Sequence, residues 1–171
     1  YKTFHKLFSI AIDRELKNFV ETGTSRGKDK FYYLRPKVNW KDGMSTILFA
    51  EYVKLNKGQL WTCDIDAKNI HNASLFLKDF NLHANLIVSD SLKFLEDFNE
   101  TIDVLYLGSH DGNLPGANEH QLREAQLSID KMNSNGLIML DDKGQKTELS
   151  IPFLISEGWE IILETENQVI F

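Results

Sequence analysis

The sequence predicts an α/β domain in which a mostly parallel sheet carries helices on both faces. Three observations lead there. Apolar segments alternate between the period of a strand and that of a helix along the chain. Two strand-like runs, residues 102–107 and 137–140, are almost wholly apolar, as central strands covered on both faces are. Polar residues or glycines follow the strand-like runs in turn. The chain has 171 residues, 42% of them apolar, enough for one hydrophobic core. No internal repeat or low-complexity linker divides it, so residues 1–171 are expected to form a single domain.

Phe4, Leu7, Phe8 and Ala11 recur at the spacing of one buried helical face and predict a leading helix. Residues 18–21, breaking at Gly23, read as the first strand. Met44, Ile47, Leu48, Tyr52 and Leu55 mark a helix that stops at Asn56, Lys57 and Gly58. Residues 59–63 read as the second strand, Ala73, Phe76, Leu77 and Phe80 as the face of the next helix, and residues 85–88 as the third strand, which ends at Asp90. A short helix over 92–98 leads to the fourth strand at 102–107. Leu122, Ala125, Ile129 and Met132 mark another helix. Asn135 and Gly136 then precede the fifth strand at 137–140, stopped by Asp141 and Asp142. Ser150 is placed to cap a last helix with Pro152 in its first turn and Gly158 past its end, and the runs 159–163 and 168–171 pair as a hairpin. Such alternation implies parallel strands joined by right-handed crossovers, with ligands bound beyond the carboxyl ends of the strands.

Composition narrows the partners. The 19 Lys and Arg against 25 Asp and Glu give a net charge of -6 without long like-charge runs, which argues against long nucleic acid. No apolar run approaches the roughly 20 residues that cross a bilayer, and no signal-peptide apolar region follows the first residues. The expectation is a cytoplasmic protein with a small-molecule partner and no membrane partner; a homo-oligomer is left open. The single cysteine, Cys63, sits in an apolar run and reads as a buried structural thiol.

Five strand ends carry the candidate chemistry: Glu21, Thr22, Gly23 and Thr24 with the turn through Gly27; Asp64 and Asp66; Asp90 and Ser91; Gly108 through Gly112 with His110 and Asp111; and Asp141 with Asp142. A glycine-rich turn lets backbone approach a ligand closely, and an acidic residue after the second strand can accept both hydroxyls of a ribose. Together they describe a nucleoside site. Each also has a plainer use: Gly23 and Gly27 in an ordinary turn, the aspartates as helix caps.

In the order of its elements and in these motifs the chain resembles class I S-adenosylmethionine-dependent methyltransferases, from Phe19 to the terminal strand pair. The resemblance implies a Rossmann-like seven-stranded, mostly parallel sheet with an antiparallel last strand. It implies S-adenosylmethionine as cofactor, with Glu21, Gly23 and Thr24 lining its methionine part, Asp64 holding the ribose hydroxyls with Asp66 in reserve, and Asp90 and Ser91 facing the adenine. Within the superfamily the chain looks most like small-molecule O-methyltransferases of the kind that tailor sugars or secondary metabolites.

Two departures stand out. Residues 28–42 are inserted between the glycine loop and its helix; their Phe31, Tyr32, Tyr33, Pro36 and Trp40 suggest a lid, and Ser45 with Thr46 begins a helix whose free N–H groups would face the methionine carboxylate. Gly108 stands where the related enzymes usually place an aspartate. Asp111 could take over that role, with Asp141 and Asp142 completing an oxygen-rich site that Mg²⁺ accepts. His110, with Asp111 and Asp141, makes up the expected catalytic set, its imidazole suited to removing a proton from a hydroxyl. Two alternatives remain at this point. One is a methyltransferase-like binding or scaffold subunit, suggested by Gly108. The other is an NAD-dependent oxidoreductase, disfavoured because Gly23 is followed by Thr24, Ser25 and Arg26 before Gly27 rather than by GxGxxG spacing.

Overall fold

The computed structural model describes residues 2–25, 28–29, 37–38 and 44–171. The elements run α1 (Lys2–Asp13), β1 (Asn18–Thr22), β2 (Lys28–Asp29), β3 (Lys37–Val38), α2 (Met44–Asn56), β4 (Gln59–Asp64), α3 (Ala67–Asp79), β5 (Asn85–Val88), α4 (Ser91–Asp97), β6 (Ile102–Leu107), α5 (Ala117–Ser128), β7 (Met132–Leu140), α6 (Ser150–Ser156), β8 (Leu163–Glu164) and β9 (Val169–Ile170). β2 and β3 form a small antiparallel pair within the inserted segment. The other seven strands make one sheet in the order β5-β4-β1-β6-β7-β9-β8. From β5 to β7 every pair is parallel, while β9 runs antiparallel to both β7 and β8. The seven-stranded, mostly parallel sheet expected from the sequence is thus present. The aromatic side chains proposed as a lid lie outside the described residues.

Period-two alternation divides the core into two layers. Phe19, Leu60, Val104, Tyr106 and Met139 point to one face and pack with Leu7, Phe49, Tyr52 and Phe76 from α1, α2 and α3. Val20, Cys63, Leu105, Leu107, Ile138 and Leu140 point to the other and pack with Phe94, Leu95, Ala125 and Leu154 from α4, α5 and α6. This explains why the central strands read as unbroken apolar runs: both faces are covered.

Three elements differ from expectation. Met132 opens β7 instead of closing the preceding helix, which ends in a 3₁₀ turn at Ile129–Lys131. Polar residues hid the start of this strand. Asn133 lies within it and donates to Asp103 Oδ1 at 2.7 Å, and Asn135 and Gly136 are strand residues, not a turn. Ser150 is the first residue of α6 rather than its cap, because its hydroxyl is engaged by Gln121 Oε1 of α5 at 2.7 Å. The terminal hairpin is shorter than the apolar runs, leaving Trp159 outside it, where its N–H closes the end of α6 on Leu154 O at 3.0 Å.

Candidate active site

A cavity of about 480 Å³ opens at the carboxyl ends of β5, β4, β1, β6 and β7, within the size range of ligand pockets. Backbone hydrogen bonds hold the loops at one level past the strand ends: Gly23 N–H to Cys63 O at 2.9 Å, Gly108 N–H to Thr22 O at 3.0 Å, Ser89 N–H to Asp64 O at 3.0 Å and Asp141 N–H to Leu107 O at 3.3 Å. Of the candidate side chains, Gly23, Thr24, Ser45, Asp64, Asp66, Asp90, Ser91, His110, Asp111, Asp141 and Asp142 line this cavity, whereas Glu21 and Thr46 do not.

Gly23 has φ +81°, and a Cβ there would come within 3.1 Å of the Gly108 and Ser109 backbone. Glycine is therefore required where the first and fourth strand-end loops cross. The loop is fastened to α2 by Thr46, whose Oγ1 accepts from Ser25 N–H at 3.0 Å and donates to Glu21 Oε2 at 2.7 Å. Glu21 is fully buried behind the cavity wall. Burial pushes its carboxyl pKa up to about 7 against the lowering effect of hydrogen bonds from Ser45, Thr46 and Thr62.

Asp64 Oδ1 accepts the Asp66 N–H at 2.8 Å, and Asn69 Nδ2 reaches both of its oxygens at 3.2 Å. Asp66 caps α3, accepting from Lys68 N–H at 2.8 Å, and Asp90 caps α4, accepting from Leu92 N–H at 2.9 Å. The capping use and the place on the cavity wall hold for the same side chains.

On the β6–β7 side the structure brings in a residue that the sequence reading passed over. The Tyr106 hydroxyl donates to Asp141 Oδ2 at 2.5 Å, while Asp141 Oδ1 accepts from Gln168 Nε2 at 2.9 Å. Burial, and after it the Asp141 carboxylate, raises the tyrosine pKa well above its ordinary value. The same ring accounts for Gly108: a Cβ there would lie 2.6 Å from Tyr106 Cε1 and 3.2 Å from Thr22 O. The space for a side chain at 108 is already filled by the tyrosine. Tyr106 was missed because it occupies a core position of an apolar strand.

Asp142, in the left-handed region at φ 54°, turns its Oδ2 toward Gly112 N–H at 3.3 Å and Lys146 Nζ at 3.4 Å. The expected Mg²⁺ ligands Asp111, Asp141 and Asp142 all line the cavity, and among the described residues no group of three or more His, Cys, Asp or Glu side chains is gathered to hold a metal ion. Protein donors engage both Asp141 oxygens and Asp142 Oδ2.

His110, at φ 55°, stacks its ring on His120 of α5 with centroids 5.1 Å apart. His120, also unanticipated, approaches Ser91 Oγ with Nε2 at 2.8 Å and Glu124 Oε1 at 3.5 Å. The hydrogen bond to Glu124 raises its pKa. Its only signal in the sequence is the i,i+4 spacing from Glu124 on a helix face.

This strand order, with a glycine crossing after the first strand and acidic residues after the next two, is that of class I S-adenosylmethionine-dependent methyltransferases. A family model described as a methyltransferase domain matches residues 40–143, more than half of the chain, and the chain belongs to that family. No curated protein matches it in sequence. Among solved structures it is similar to a Podospora anserina methyltransferase, PaMTH1, bound to S-adenosylhomocysteine, with TM-score 0.70 and 12% identity over 98% of this chain and 76% of that one. It is also similar to a putative rRNA methylase of Clostridium thermocellum, with TM-score 0.60 and 17% identity over 95% and 93% of the two chains. A Geobacter sulfurreducens methyltransferase matches with TM-score 0.63 and 16% identity over 99% and 77%. The protein has the fold of a methyltransferase enzyme. Among the described residues no helix is long and apolar enough to cross a membrane.

Proposed function

We propose that the protein transfers a methyl group from S-adenosylmethionine to an oxygen of a small molecule. The observation that carries the oxygen acceptor is the Tyr106–Asp141 pair on the cavity wall, a hydroxyl and a carboxylate 2.5 Å apart that can receive and pass on a proton. Bound S-adenosylmethionine would supply an activated methyl group on a sulfonium centre. Gly23, Thr24 and Ser45 would line its amino-acid part with Glu21 behind them, Asp64 would accept from the ribose hydroxyls with Asp66 beside it, and Asp90 and Ser91 would face the base.

The chain's contribution is to hold an acceptor hydroxyl in line with that methyl group. As the acceptor oxygen bonds to the methyl carbon, the carbon–sulfur bond breaks and the sulfur keeps the electron pair as a neutral thioether. The hydroxyl proton passes toward Asp141, with His110 and Asp111 on the adjoining loop as the other groups able to take it. The fit of Gly108 against the Tyr106 ring gives the glycine a packing reason of its own. The net charge of -6 weighs against an RNA acceptor of the kind named for the similar Clostridium thermocellum protein.

The test is calorimetric titration with S-adenosylmethionine and S-adenosylhomocysteine, with NAD as control, followed by tritiated methyl transfer to hydroxylated small molecules, amines and RNA. Saturable binding that Asp64→Ala weakens by roughly tenfold or more is expected, since hydrogen bonds to a charged group contribute about 1.5–3 kcal/mol. Binding indifferent to Asp64→Ala, or label found only on amines or RNA, would defeat the assignment.

A further inference from the structure

Four side chains form a ring of hydrogen bonds and one ion-pair contact at the β5–β6 end of the cavity. Ser91 Oγ lies 2.8 Å from His120 Nε2, which lies 3.5 Å from Glu124 Oε1. Ser109 donates to that same oxygen at 2.5 Å, and the two serine oxygens are 3.4 Å apart. Ser91 begins α4, Ser109 belongs to the loop after β6, and His120 and Glu124 stand one turn apart on α5. Ser91, Ser109 and His120 line the cavity, whereas Glu124 is fully buried beneath them.

The donor and acceptor roles follow from the protonation of the imidazole. An ionised carboxylate only accepts, so the Ser109 hydroxyl is spent on Glu124 and its lone pairs remain for the cavity. A protonated imidazole only donates, so Nε2–H points to Ser91 Oγ and leaves the Ser91 hydroxyl hydrogen to turn either to the Ser109 oxygen 3.4 Å away or into the cavity, where a ligand acceptor can take it. When the ring loses its proton, Nε2 can become the acceptor; Ser91 then donates to it, and the cavity loses a donor.

We propose that His120, paired with buried Glu124, is a positioning residue for the nucleoside end of the cavity, setting through Ser91 whether a hydrogen-bond donor is offered to the base. This rests on the reading of that end as a nucleoside site. The groups facing His120 support the charged form on balance: Glu124 on its own helix and Asp90 at the cap of α4 favour it, while Lys146, from the 3₁₀ turn before α6, opposes it. His110 from the β6–α5 loop covers the ring's face.

The test uses 5′-methylthioadenosine, which lacks the amino-acid part and so is not read through Glu21, titrated by calorimetry between about pH 5 and 8. Affinity should fall about three- to tenfold as pH rises through the His120 transition, the effect of one hydrogen bond. In His120→Gln, whose amide can donate to Ser91 at every pH, the slope should vanish while the low-pH affinity is kept. Glu124→Gln should move the transition to lower pH, and Ser91→Ala should abolish the slope with His120 in place. A flat wild-type profile, or the same slope in His120→Gln, overturns the proposal alone. A folded protein that binds neither this nucleoside nor S-adenosylhomocysteine overturns the nucleoside reading itself.

Discussion

Replacing Gly108 by aspartate would introduce a carboxylate after this strand, and the structure predicts that it destabilises the fold. The new Cβ would lie 2.6 Å from Tyr106 Cε1, against an ordinary carbon–carbon contact of about 3.5–4.0 Å, so the ring must move by roughly 1 Å. It has little freedom to do so. Tyr106 is 5% exposed, packs edge-on against Phe49 at 5.4 Å, and is tied through its hydroxyl to Asp141. Overpacking of this kind costs about 1–3 kcal/mol, and breaking the hydrogen bond to a carboxylate about 1.5–3 more. For a chain of this size each kcal/mol lowers the melting temperature by about 2–4 °C, which places Gly108→Asp roughly 5–24 °C below wild type at pH 7. Scanning calorimetry measures this directly. In a Tyr106→Ala background the crowding is gone, and the same substitution should lower stability by less than about 1 kcal/mol. A Gly108→Asp protein that melts within about 1 °C of wild type, or that loses as much stability in the Tyr106→Ala background, would refute the packing argument.

Three further outcomes follow from single side chains. Because the folded pKa of Glu21 is raised to about 7 from 4.5, the folded state binds more protons than the unfolded one between those values, so stability should fall as pH rises through that window and level off above it. Against Glu21→Gln, denaturant titrations should show the wild type losing about 3 kcal/mol across the window; parallel curves would disprove it. Cys63 is fully buried and its thiol pKa is pushed up by burial, so a thiol reagent at pH 8 should modify it only as fast as the protein unfolds, and rapid labelling of the native protein would contradict this. Asp90→Ala removes the α4 cap and should lower stability by about 1 kcal/mol by chemical denaturation, with Asp90→Asn retaining most of it; equal losses in both variants would count against a capping role.

The strands and their order were legible because each buried run ends in a polar or glycine residue where the sheet stops and the ligand side begins. The legible part of the site was the part made by those ends: Gly23 and Asp141 directly follow their strands, Asp64 closes β4, Asp90 lies two residues past β5, and all four line the cavity. Tyr106 and His120 were not legible in this way. Tyr106 is one residue of a six-residue strand, and the alternation that turns it toward Glu21 in the neighbouring strand also makes it look like core. His120 belongs to the first turns of α5, and its partners Ser91 and Ser109 come from segments that only the fold brings together. The start of β7 was hidden for the opposite reason, since Asn133 and Asn135 break the apolar pattern while their backbone stays in the strand.

The central place of β1 has a consequence for how the molecule is assembled in time. Phe19 pairs with Leu60 on one side and Val104 on the other, so the strand bearing the glycine crossing is completed only when β6 arrives from far along the chain. Such a distant pairing is slow to form because the intervening chain must first be closed into a loop. The cavity draws walls from both sides of β1 and exists only after that step. A nucleoside bound there would stabilise the finished sheet by mass action and leave the earlier species untouched, so it should lengthen the lifetime of the folded state without hastening its formation.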